Sequence, residues 1–181
     1  MVASPTDRQS AEFLAKAGEL VARLGIRPRG DVKNARSLRL PNGSRIVGLP
    51  GTEGTIRGFS AAALVVIDEA ARAPDSLHKA LRPMLAVSGG ELWLLSTPRG
   101  KTGFFYDVWA HGGDEWERVM VRATDCARIA SEFLEEERRE LGEAWFLQEY
   151  MCEFVDSGVH MFDAELVERA MGDVESLSFK L

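Results

Sequence analysis

The sequence predicts an α/β fold in which helices flank a parallel sheet. Leu64 to Ile67 is an apolar run without alternation, as expected for a strand buried on both faces. A second apolar run, Leu92 to Leu95, is also predicted to be a buried strand. Between them, helix-start residues at 74–76 precede leucines at helical spacing. A strand, a helix and a strand at this spacing form a right-handed parallel crossover, which brings the carboxyl ends of both strands to the same edge of the sheet.

Three elements are predicted before the first of these strands. Residues 1–4 are typical of the end of a strand, and apolar residues at helical spacing predict an amphipathic helix from about Arg8 to Leu24. An Asn-Gly pair then lies between alternating segments at 37–40 and 45–49, which predicts a β-hairpin. Several arginines give the hairpin a basic face. Either phosphate contact or simple solvation explains that face.

Five further elements are predicted after the second strand. A helix begins near Phe104, alternation predicts a strand from Trp116 to Val121, and a helix from Ser131 ends at Gly142. A last short helix is predicted from Phe162 to Met171. The helix before it carries an aromatic stripe, which is more typical of a core or docking surface than of a cofactor site. The stripe consists of Trp145, Phe146, Tyr150, Met151 and Phe154.

The composition is that of an ordinary water-soluble domain. The 181 residues are 45% hydrophobic and 28% charged. No run approaches the ~20 apolar residues of a membrane span, and the first residues lack signal-peptide features, so a cytoplasmic protein is expected. Cys126 and Cys152 are isolated thiols without metal-ligand spacing, and the three histidines are equally scattered, so no zinc site is assigned.

Charge is distributed unevenly along the chain. Residues 1–101 carry 15 Lys and Arg against 9 Asp and Glu, whereas residues 102–181 carry 7 against 19. The net charges are therefore +6 and -12. This asymmetry predicts that a polyanion, whether nucleotide phosphate or DNA, contacts the amino-terminal part. Solvated charge on opposite faces is the alternative explanation.

Two adjacent carboxylates, Asp68 and Glu69, directly follow the first buried strand, as in a Walker B strand. The carboxyl end of a parallel strand borders the ligand crevice. Asp68 is placed there to hold a Mg²⁺ water, and Glu69 to polarise an attacking water. Ser96 and Thr97 follow the second strand, beside the acids, where they are placed to sense a nucleotide. The alternative is a buried strand that meets solvent at a charged turn.

Arg57 is a further candidate. It lies 11 residues before Asp68 on a loop rich in glycine, where a guanidinium can reach a γ-phosphate, although a structural salt bridge is a competing role. No phosphate-binding motif G-x-x-x-x-G-K-[ST] is present. Gly100-Lys101-Thr102 copies only its end, because Leu95 stands where the first glycine belongs. Lys101 is therefore predicted to be an exposed loop charge.

Three motifs in order now carry a family resemblance: Asp68-Glu69-Ala70, the segment Ser96 to Lys101, and the segment Phe146 to Phe154. Together they resemble the large terminase subunit of tailed phages over about residues 1–160. In that family, an ASCE-type, RecA-like P-loop ATPase domain drives double-stranded DNA into a prohead, and a following RNase H-like nuclease domain cuts it. Superfamily-two helicases share the acidic strand but usually continue with Ser-Ala-Thr at the later motif, so a helicase-type ATPase is a weaker hypothesis.

The resemblance implies specific roles. ATP and Mg²⁺ are the implied cofactors, with Asp68 as a Mg²⁺ ligand and Glu69 as the catalytic base. Arg57 matches the family arginine proposed to complete a neighbouring subunit's site. The implied partners are double-stranded DNA, the portal protein, the small terminase subunit and further copies of the chain, in the host cytoplasm. The residues implied to couple hydrolysis to DNA movement are Ser96, Thr97 and Pro98.

The sequence also departs from the family. The Walker A strand, loop and helix and the nuclease acids are absent. Residues 1–155 are therefore expected to form a partial ATPase domain, with 156–181 as a linker or the start of a nuclease domain. In this fold class the P-loop strand lies beside Leu92 to Leu95, so an unpaired edge is expected there. The chain alone is expected neither to bind ATP tightly nor to hydrolyse it.

Two alternatives to an ATPase fragment remain at this point. In the first, the chain is a non-enzymatic module whose acidic carboxyl-terminal part and aromatic stripe dock a partner protein. In the second, it is an inert prophage remnant, and the roles of the acid pair describe its ancestry.

Overall fold

The computed structural model describes residues 1–30, 36–49 and 59–156. Predictions for Arg57, for the glycine-rich loop around it and for a helix from Phe162 to Met171 fall outside these ranges. The chain divides into two compact units. The first consists of Met1–Pro98 with Thr102–Met120, and the second of Arg99–Lys101 with the residues from Val121 onward. The domain boundary at residue 155 remains a prediction.

The first unit contains a six-stranded sheet with the strand order β2-β3-β4-β1-β5-β6. Strands β4, β1, β5 and β6 are parallel, whereas β2, β3 and β4 pair antiparallel. The predicted α/β class, the crossover strands and the hairpin are thus confirmed. The strands are β1 Val2–Ala3, β2 Arg29–Gly30, β3 Ser37–Arg39, β4 Arg45–Leu49, β5 Leu64–Asp68 and β6 Glu91–Leu95.

The core of this sheet lies along β1 and β5. Val2, Ala3, Val65 and Ile67 are all almost inaccessible to solvent. Each large apolar side chain buried in this way contributes roughly 1.5–3 kcal/mol. β1 pairs with both β4 and β5, so the two central strands are held on both edges.

Helix α1, Asp7–Arg23, covers this sheet near β4 and confirms the predicted amphipathic helix. Thr6 caps its amino terminus in a capping box with Gln9. The helix lies close to the strand because Gly48 has no side chain: a Cβ at that position would lie 3.0 Å from Cδ1 of Leu14. The charged side of α1 faces solvent.

Strand β6 corrects the prediction of a strand buried on both faces. It is the last strand in the sheet order and pairs only with β5 among the described strands, so the expected unpaired edge is present. Its side chains alternate in exposure, and Trp93 and Leu95 are 52% and 46% exposed. The apolar run predicted the strand correctly, but its burial depends on neighbours that the run does not encode.

Two helices follow the parallel strands in this unit, α2 Asp75–Leu81 and α3 Gly103–His111. The backbone N–H of Phe104 donates to Oδ1 of Asp75 at 3.0 Å, and the rings of His78 and Phe104 stack at 4.5 Å. The predicted strand from Trp116 to Val121 is wrong, because this segment belongs to no strand in the described structure.

The second unit is a small helical cluster. Its helices are α4 Ser131–Leu141 and α5 Glu143–Glu149, and its core consists of Ala123, Leu134 and Phe146. The predicted aromatic stripe is only partly correct. Phe146 is buried in α5, and Tyr150 and Met151 pack against the same core, as predicted. Trp145 is exposed, however, and the last three members of the stripe follow the end of the helix.

His78 makes the stability of the first unit depend on pH. Its imidazole is buried, Nε2 has no hydrogen-bond partner in the described structure, and burial lowers its pKa, with a smaller contribution from Arg82. Because the unfolded chain then binds the proton more readily, the contribution of His78 to the free energy of unfolding is fully present above about pH 6.5 and is lost as the pH is lowered.

This prediction is checked by urea unfolding between about pH 7 and pH 5. His78→Phe, which keeps a ring against Phe104, should remove much of the acid-induced loss of stability. His111→Gln, at an exposed position, should leave that loss unchanged. Equal pH dependence in the wild-type chain and in His78→Phe would contradict the assignment.

Candidate functional site

The register between β5 and β6 brings the two predicted polar segments together. Asp68, the last residue of β5, pairs with Leu95, the last residue of β6. Glu69 and Ser96 therefore follow at the same level, at the carboxyl edge of the parallel strands. The predicted proximity of the acid pair and the small hydroxyls is confirmed.

The acid pair lies at a sharp turn. Asp68 and Glu69 are both half-buried. Glu69 adopts the left-handed conformation with φ 55° and ψ 42°, which is uncommon for a residue other than glycine and costs about 1–3 kcal/mol. A 3₁₀ turn, Ala70–Arg72, follows at once, and Ala70 is almost fully buried. Such strain persists only where surrounding contacts fix the backbone.

Ser96 supplies one of those contacts. Its Oγ accepts a hydrogen bond from the backbone N–H of Ala71 at 3.1 Å and donates one to the carbonyl of Thr97 at 2.7 Å. One hydroxyl thus joins the turn after the acids to the segment after β6. Pro98, which ends that segment in the first unit, is buried.

Arg72 makes a second connection. Its Nη1 lies 2.9 Å from Oε2 of Glu69 and 3.0 Å from Oγ1 of Thr97, and it donates to both. Both members of the ion pair are partly shielded, with side chains 30% and 36% exposed. Sequence reasoning missed Arg72. The available signal was its position three residues after Glu69, a spacing that brings side chains together in a tight turn.

Of the two implied cofactors, the carboxylates of this site suit Mg²⁺ better than ATP. Mg²⁺ is usually held by one or two carboxylates together with waters and substrate phosphates, and Asp68 provides such a carboxylate. No cluster of three or more His, Cys, Asp or Glu side chains suited to a metal occurs among the described residues. A Mg²⁺ ion would therefore need phosphate oxygens as further ligands.

The sequence contains no Walker A motif, the pattern that usually holds those phosphates. Lys101, in the sequence that copies the end of that motif, is exposed as predicted, and its Nζ lies 3.7 Å from a carboxylate oxygen of Asp156. Arg57 lies outside the described residues, so its role remains a prediction. None of the described helices is long and apolar enough to cross a membrane.

A mostly parallel sheet with an acid pair at the carboxyl end of a central strand has the features of the RecA-like ATPase fold. The family profile described as terminase large subunit, T4likevirus-type, N-terminal, matches residues 3–169. The chain therefore belongs to this family. This membership favours the interpretation as part of a terminase ATPase over that as a helicase-type ATPase.

Known proteins agree with this membership. The large terminase subunit of Escherichia phage T5 is 25% identical over 151 residues, which is 80% of this chain and 34% of that protein. The chain thus spans about a third of that relative's length. The large terminase ATPase domain of Thermus phage P74-26 has the same fold, with a TM-score of 0.66 and 23% identity over 85% of this chain and 75% of that one. The large terminase of a thermophilic bacteriophage, solved with ADP, has a TM-score of 0.72 and 17% identity over 85% of this chain and 40% of that one.

Proposed function

We propose that this chain provides the hydrolytic and coupling residues of a phage DNA-packaging ATPase, and that residues outside it hold the β- and γ-phosphates of ATP. The observation that carries the proposal is the connected site at the edge of the sheet. There the turn that follows the acid pair is joined to the segment after β6 by two contacts, one from the backbone of Ala71 to Ser96 and one from Arg72 to Thr97.

Each residue has a distinct role in this proposal. Asp68 holds a water of the Mg²⁺ ion, which when bound neutralises charge on the phosphates. Glu69 orients the attacking water and accepts its proton. Ser96, Thr97 and Pro98 transmit the state of the site towards DNA. Arg57 completes the site of a neighbouring copy, a role supported by the family resemblance alone.

The same resemblance supports the partners and the compartment. Double-stranded DNA, the portal protein, the small terminase subunit and further copies of this chain are the proposed partners, in the host cytoplasm. The structure offers an independent argument only for DNA.

Two arginines lie opposite each other on the antiparallel part of the sheet. In the backbone register, Arg39 of β3 pairs with Arg45 of β4. The side chains of Arg39 and Arg45 are exposed, and like charges directly opposite each other destabilise a sheet. Arg36 differs, because it pairs with Asp7 at 2.7 Å. DNA phosphates would offset the repulsion between Arg39 and Arg45, which supports this surface as the DNA contact.

Duplex binding tests this surface. Replacing both Arg39 and Arg45 by Ser should weaken binding of a short DNA duplex. The plot of log K against log salt should also become less steep by about 2, at roughly 0.9 per phosphate contact. Arg36→Ser is the matched control, because its charge is already neutralised by Asp7, and it should change the slope little. Fluorescence anisotropy over a salt series measures the affinity and its salt dependence for each variant. Equal losses in the two proteins would contradict the assignment.

A chimera tests the hydrolytic role. Residues 1–156 would replace the matching part of the phage P74-26 ATPase domain, leaving that domain's remaining segments to hold the nucleotide. The chimera should hydrolyse ATP, and Glu69→Gln should lower kcat by about 100-fold or more, as expected on loss of a general base. Glu91→Gln, at the opposite end of β6, is the control and should keep kcat.

The outcomes separate clearly. Undiminished turnover in the Glu69→Gln chimera would contradict the role of Glu69. The 181-residue chain by itself should show no turnover. Steady turnover by a homogeneous sample of that chain, abolished by Glu69→Gln, would overturn the proposal that the phosphates are held by residues outside it.

A further inference from the structure

We propose that Arg72 is a positioning residue that sets the orientation of Glu69 according to the position of Thr97. The inference rests on the proposed function for the role of Glu69, but its geometric basis stands by itself. Arg72 would thereby carry information between the catalytic base and the coupling segment.

The first argument is the branching of the contact. One nitrogen, Nη1 of Arg72, donates both to Oε2 of Glu69 and to Oγ1 of Thr97. The guanidinium is planar and rigid, so its position is constrained by both acceptors together. A displacement of Thr97 therefore changes the hydrogen bond that Arg72 makes to Glu69.

The second argument is the fixed backbone on both sides of this contact. The left-handed conformation of Glu69 and the hydrogen bond from Ala71 to Ser96 hold the turn in place. Arg72 itself donates its backbone N–H to the carbonyl of Glu69 at 2.9 Å. The side chains of Glu69 and Arg72 are thus the adjustable parts of an otherwise fixed turn.

The third argument is the contrast with a surface ion pair. Arg138 and Glu143 also form a close pair, but their side chains are 57% and 53% exposed and the contact lies within the helical unit. The pair of Arg72 and Glu69 is more shielded, and its arginine also donates to Thr97, in the segment that follows β6. The pair of Arg138 and Glu143 joins only two consecutive helices.

The consequence for the reaction concerns the base. While Arg72 donates to Oε2, that oxygen of Glu69 is engaged and the carboxylate is held in one orientation. When the segment after β6 moves Thr97, Arg72 follows, and the carboxylate turns with it. The position of the coupling segment thereby decides whether Glu69 is aligned with the attacking water.

Methyl NMR of the 181-residue chain tests the link without requiring activity. With threonine methyl groups labelled, Glu69→Gln should shift the resonance of the Thr97 methyl group. The same substitution should cause no such shift in an Arg72→Met background. Arg72→Lys keeps the charge but not the planar guanidinium, and should restore only part of the response.

Arg36→Met is the matched control, since it removes an Arg–Asp pair elsewhere in the same unit and should leave the response intact. The other threonine methyl resonances report whether each variant is folded. The inference would be overturned if Glu69→Gln shifted the Thr97 methyl resonance equally with and without Arg72. It would also be overturned if Glu69→Gln caused no shift when Arg72 is present.

The ATPase chimera distinguishes this inference from the proposed function. Arg72→Met should lower its kcat by up to about 100-fold, as misplacement of a reacting group can do, with little change in KM for ATP, and Arg72→Lys should recover part of the loss. If the chimera turns over ATP and Arg72→Met keeps full kcat, the inference fails while the function stands. If the chimera is inactive with Arg72 present, the proposed function fails, and the Thr97 shift still decides whether Arg72 links the two groups.

Discussion

The parallel pairing of β5 with β6, in the register that sets Asp68 opposite Leu95, is the constraint on which the site depends. Two segments separated by more than twenty residues in sequence meet because both strands end at the same level. The hydrogen bonds made by Ser96 and Arg72 are possible only in this register. A shift of β6 by one residue would also turn its side chains to the other face of the sheet.

The two strands differ in how firmly they are held. β5 is paired on both sides and its centre is fully buried, whereas β6 is paired on one side only in the described structure. The acids therefore lie at the end of a strand that is paired on both edges. The other edge of β6 is the one beside which the sequence predicts the P-loop strand of this fold class.

Local sequence signals were sufficient for most of the fold and for the meeting of the acids with Ser96 and Thr97. The unbroken apolar run of β5, the helical spacing of α1 and the Asn-Gly turn each encode their own conformation. The exposure of Trp93 was not predictable, because it depends on which elements cover the faces of β6. Alternation alone also misassigned residues 116–121, since a strand needs a partner. Arg72 was missed because its two contacts require the left-handed turn at Glu69 as well as the strand register.

Amide hydrogen exchange at Ala71 tests the central claim most directly, because its N–H bonds across the two segments to Ser96. Ala62, whose N–H donates to the carbonyl of Met84 at the same 3.1 Å, is the internal reference. Ser96→Ala should accelerate exchange at Ala71, by about tenfold for each 1.4 kcal/mol of protection lost, and leave Ala62 unchanged. Unchanged exchange at Ala71 would show that the acid turn and the segment after β6 are not joined as described.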